Sequence, residues 1–121
     1  MRSLSVLIPV CCAILAASVI TGCQSPWVQA AVVNQQDAPI HLVEVDYPGG
    51  SFGVQTIAPH AVFHYRFHIL ATDRITLNFT DAAGHNHTAK GPQLSQKEEG
   101  ALRIEVAPDN QVVWTPTLTA Y

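Results

Sequence analysis

Beyond residue 23 the chain has no cysteine: its three are Cys11, Cys12 and Cys23. No internal disulfide can brace residues 24 to 121, so a fold there rests on its apolar core, for a net stability of about 5–10 kcal/mol. Charge is scarce too. Only 12% of residues are charged, the net charge is −3, and no run of Lys or Arg occurs. Proteins that hold nucleic acid or anionic surfaces by charge cluster their cations, and no nucleic-acid partner is expected here. Glycine-rich phosphate loops, CxxC redox pairs and internal repeats are also missing. A chain of 121 residues suits one domain. At 48% hydrophobic it is too apolar for a disordered chain.

The first apolar segment comes directly after Met1-Arg2. Leu4 to Ile20 is uncharged and largely apolar. A spanning helix needs about 20 such residues, and the shorter run suits the core of a secretory signal. It ends in Ile20-Thr21-Gly22-Cys23. This tetrapeptide resembles the lipobox of bacterial lipoproteins: an aliphatic residue, a short residue, then Gly or Ala before the cysteine. All four positions fit, with Ile where Leu is commoner.

The resemblance covers about the first 24 residues. It implies a diacylglyceryl group on the Cys23 sulfur, cleavage before Cys23 and acylation of the new amino terminus. Residues 1–22 are then a signal peptide, 23–26 a lipidated cysteine with a short tether, and 27–121 the working domain. Each buried CH₂ contributes about 0.8 kcal/mol, so two or three acyl chains anchor a protein without a spanning helix. Membrane lipid is thus an implied partner, and the covalent lipid the only group expected on the chain. Gln24 stands where an Asp tends to retain such proteins on the inner membrane. By that family rule the expected address is the outer membrane, facing the periplasm.

The rest reads as strands. Ile40–Tyr47, Ala61–Leu70, Arg74–Thr80 and Ala101–Val106 alternate apolar and polar residues, the period of a half-buried strand. Trp27–Asn34, Phe52–Ile57, a ragged His85–Lys90 and Gln111–Thr115 complete the set. Turn signals such as Pro48-Gly49-Gly50 and Asp81-Ala82-Ala83-Gly84 separate them. The segment 91–100 reads as a polar loop broken by Gly91-Pro92, and Pro116 weakens any strand beyond it. Seven or eight short strands predict an all-β protein, an antiparallel β-sandwich of immunoglobulin or fibronectin outline.

Chemistry is sparse. "GGSFG" around Ser51 resembles a nucleophile elbow in letters only, because no helical segment comes after it. No catalytic residue is expected. Among the six histidines, His64 and His68 are four residues apart on one strand, about 13 Å, too far to share a metal. His85 and His87 project from one side of a strand. They are the candidate metal ligands of an alternative reading, a periplasmic lipoprotein that binds copper or zinc through a histidine cluster, provided His60, His64 or Asp81 comes near. The preferred function is a non-catalytic binding or structural module of the envelope. Ile40 and Leu42 lie opposite Val43 and Val45 in strict alternation, and Phe52 comes just after a flexible turn. Ile40, Leu42 and Phe52 are therefore the candidate contacts for an envelope protein partner.

Overall fold

The computed structural model describes residues 26–121. The expected leader 1–22, the lipobox-like motif with Cys23, and the expected tether residues Gln24 and Ser25 lie outside the described residues. Those described form eight strands: β1 Val28–Asn34, β2 Ile40–Tyr47, β3 Gly50–Ile57, β4 Val62–Phe67, β5 Asp73–Thr80, β6 Asn86–Leu94, β7 Glu98–Val106 and β8 Val112–Ala120. They make two four-stranded sheets, ordered β4-β1-β7-β8 and β3-β2-β5-β6. All pairs are antiparallel except β1 with β7, which is parallel. The expected β-sandwich is what the chain forms. The parallel pair makes its likeness to immunoglobulin domains one of architecture.

The inner faces meet in one core. From the first sheet come Val28, Ala30, Val32, Phe67, Leu102, Ile104 and Val106; from the second, Ile40, Val43, Val45, Phe52, Ile75, Leu77 and Phe79. Period-two alternation puts these side chains on one side of each sheet, and burying them against each other is the driving force. Aromatic rings seal the β3–β4 edge. Phe52 stacks on Tyr65 with centroids 4.3 Å apart, and Tyr47 stacks on Phe67 at 4.2 Å.

Strict alternation fails in β2. The β2–β5 register shifts between His41 and Glu44, where β2 carries one extra residue. Leu42 occupies the kink with φ +49°. A bulge of this kind flips the side-chain phase. Ile40 thus joins Val43 and Val45 inside, wholly buried, and only Leu42 points out, 60% exposed. Its partner strand turns with it, since Ile57, opposite Ile40, is buried as well. The contact patch expected of Ile40, Leu42 and Phe52 is therefore corrected: Ile40 and Phe52 belong to the core, Phe52 at 7% exposure.

Two prolines also behave differently from expectation. The segment 91–100 is not a loop, because β6 runs through Gly91-Pro92 to Leu94 and β7 begins at Glu98. The β5–β6 register shifts there, so Pro92 rides on a bulge in an edge strand, where no donor is missed. Gly91 lies beneath Trp114; a Cβ on it would come within 2.7 Å of the indole. Strand β8 likewise passes through Pro116, opposite Leu102, on the other sheet's edge.

The bulge yields a paired expectation. Ile40→Ala removes buried volume and should cost about 2–5 kcal/mol in denaturant unfolding, while Leu42→Ala should stay within about 0.5 kcal/mol. Equal costs would contradict the bulged register.

Candidate functional site

Two ends of the sandwich carry the polar and aromatic side chains of interest. At one end the chain enters the fold. Trp27, just before β1, is in register with His68, just past β4. The two rings stack with centroids 3.6 Å apart, and the Arg66 guanidinium lies 4.8 Å from the indole centroid. Cation and imidazole thus hold the indole by π contacts. The His68 Nδ1–H donates to the Pro26 carbonyl at 3.1 Å, and the Gly100 N–H donates to the Trp27 carbonyl at 3.2 Å. Pro26 is therefore held by a side chain, and Trp27 by a backbone N–H and its ring contacts. Sequence reading places His68 on one strand with His64 and Trp27 at the start of another; it misses their contact and their joint hold on Pro26. The signal is the i, i+2 pair Arg66 and His68 in "HYRFH", but the partner strand cannot be read from the letters.

The opposite end is closed by a chain of polar bonds. Asp81, at the β5–β6 turn, is 8% exposed. Its Oδ1 accepts from the N–H groups of Ala83 and His85, as an Asx turn does. Its Oδ2 accepts from His87 Nε2–H at 2.8 Å and from Asn110 Nδ2 at 3.3 Å. Asn110 Oδ1 accepts from Gln36, whose own N–H donates to Asn34 Oδ1. The buried Asn34 amide donates to the carbonyls of Ala38, Ile57 and Ala58. Turns from both sheets are tied together, and no buried side-chain polar atom among the described residues lacks a partner. Unpaired, such groups would cost far more than they contribute.

This arrangement decides the neighbourhood of His85 and His87. Asp81 does come near, with His85 Nδ1 3.8 Å from the same carboxylate oxygen. His87 stacks on Phe79, and its Nε2 is committed to Asp81. A metal would have to displace that bond. His60 pairs instead with Asp37 at 2.7 Å, and His64 lies exposed on edge strand β4. Among the described residues no group of three or more His, Cys, Asp or Glu side chains is placed to hold a metal ion.

The surface offers shallow grooves. One of about 540 Å³ runs along the outer face of β2 and β3, past Leu42, Glu44, Ser51, Gly53 and Gln55. Ser51 has no base beside it among the described hydrogen bonds. Glu44 is raised above its ordinary value by its bond to Asp46 and the charge there, two strand neighbours on one solvated face. Among the described residues no helix is long and apolar enough to cross a membrane.

Comparison with known proteins adds the fold alone. No family model matches the chain, and no curated protein matches it. It is similar to a protein from Eubacterium rectale whose structure was solved by NMR, with a TM-score of 0.55 and 18% identity. The alignment covers 78% of this chain and 93% of that one.

The Asp81 bonds have a titration signature. The His87 bond, then the backbone N–H of His85, hold the Asp81 carboxyl down from 3.8 to about 2. A depressed carboxyl stabilises the fold above its unfolded value and loses that contribution as pH falls through the folded one. Asp81→Asn should therefore be less stable than wild type at pH 6, the gap narrowing between about pH 4 and pH 2. Thermal unfolding followed across that range checks it; a constant gap would contradict the assigned bonds.

Proposed function

We propose that the chain is a small lipoprotein of the bacterial envelope, anchored by acyl chains on Cys23. Its β-sandwich acts as a non-catalytic binding or structural module at the membrane. The observation that carries this reading is the motif Ile20-Thr21-Gly22-Cys23 behind an uncharged apolar run. The outer membrane, facing the periplasm, is the proposed address, because Gln24 and not Asp comes after the cysteine.

The fold is consistent with such a role in two ways. The first strand starts at Val28, so only Gln24, Ser25, Pro26 and Trp27 separate it from Cys23. Three tether residues span at most about 10 Å, which confines the domain, and any partner protein, to the neighbourhood of the bilayer. The polar side chains that do converge, around Asp81, are spent on holding turns together. That is the pattern of a structural network.

Metabolic labelling tests the reading. Cells fed an alkyne-tagged palmitate should incorporate it into the wild-type chain and not into Cys23→Ser. An untagged wild type, or a tagged Cys23→Ser, would contradict it.

A further inference from the structure

The end of the sandwich where the described chain begins carries two of the exposed apolar side chains, the others, Leu42, Val62, Tyr65 and Val113, lying on the strands. Strand register puts the Pro48-Gly49 turn, the 68–72 connection, the 95–97 turn and the chain end at Tyr121 at that same end. Leu70 is 57% exposed and Tyr121 56%.

Neither is a loose end. The Leu70 N–H donates to the Pro48 carbonyl at 3.1 Å, and the Leu70 carbonyl accepts from Gln96 Nε2 at 2.7 Å. Its side chain sits on Gly49, where φ is +95° and a Cβ would come within 2.4 Å of Leu70 Cβ. The Tyr121 N–H donates to the Lys97 carbonyl at 2.9 Å. Gln96 and Lys97 thus link the two apolar residues across the end of the fold. Backbone bonds fix the main chain at both residues, and more than half of each side chain stays in water.

We propose that this end rests on the headgroup layer of the lipid bilayer, with Leu70 and Tyr121 inserted beside the half-buried Trp27. The proposal rests on the lipid-anchored reading above and adds the docking surface and its orientation. The place where the described chain begins argues for lipid over any other occupant. Pro26 and Trp27 are fixed in this end, and Cys23 is three residues before Pro26, so acyl chains on it would reach the bilayer within about 10 Å of these tips. Trp, Tyr and a neighbouring Lys suit the membrane–water boundary, where a ring is half apolar and half wet. The end carries charges of both signs: Arg66, Arg74 and Lys97 against Asp73, Glu98 and Glu99. Insertion is therefore apolar in origin and does not require anionic lipid. Strands of nine residues then hold the opposite end, with His85 and Asp81, about 30 Å above the membrane.

Spin labels test the geometry. With Cys23 blocked by its thioether and the leader removed, the wild-type chain has no thiol, so Leu70→Cys, Tyr121→Cys and Ala83→Cys each accept one label. Ala83 lies in the turn at the far end. The full chain, processed in a bacterial host, is placed in vesicles of phosphatidylethanolamine and phosphatidylglycerol. Labels at 70 and 121 should be reached more by oxygen than by a water-soluble nickel chelate, and the label at 83 the reverse. If all three are reached mainly by the nickel chelate while the wild type takes up no label, the docking end is wrong and the anchor stands. If the wild type itself takes up label, the thiol is free and both readings fall.

Discussion

Two sheets must hold together here with no disulfide between them, since residues 26–121 contain no cysteine. All of that duty falls on the inner faces, where Val28, Ile75, Leu77, Ile104 and their neighbours are fully withdrawn from water. With no disulfide to support the core, its two open ends need closing. The fold closes them by different means. One end is tied by a hydrogen-bonded chain from Asn34 through Gln36 and Asn110 to Asp81. The other is shut by aromatic contacts around Trp27, His68 and the Leu70 connection.

That asymmetry fits an anchored protein. The polar closure is self-sufficient, each buried side-chain donor and acceptor among the described residues having found a partner. The aromatic closure leaves Leu70 and Tyr121 in water and grips the incoming chain at Pro26. A tether that merely trailed from the domain would let it tumble above the bilayer. With the proposed anchor, the His68 bond to Pro26 and the Trp27 stack would give the domain a defined end toward the membrane. The proposed anchoring and the observed packing thus meet at the same few residues.

Much of the fold is legible because alternation is a direct imprint of the pleat. Phe63, Tyr65 and Phe67, or Ile75, Leu77 and Phe79, can share a face in a strand and not in a helix. The misreadings share one cause, which is that the letters do not show the ladder. Ile40 looks like a continuation of the outward period through Leu42, yet an extra residue against β5 draws it in and leaves Leu42 outside. Pro92 and Pro116 look like breaks, yet each lies in an edge strand, where a missing N–H is harmless. The site is less legible. His85 and His87 stand out as a pair. Their common carboxylate, and its link to Asn110, depend on turns brought together from 29 residues apart. The Trp27–His68 grip likewise joins the first described strand to the end of the fourth.

The proposed anchor and the docking end both depend on what Cys23 carries. Intact-mass analysis of the chain purified from envelopes is the most direct measurement. It should give a chain beginning at Cys23 with a diacylglyceryl thioether and, in most molecules, an acylated amino terminus. A mass that includes Met1, or a chain whose Cys23 is an unmodified thiol, would contradict it.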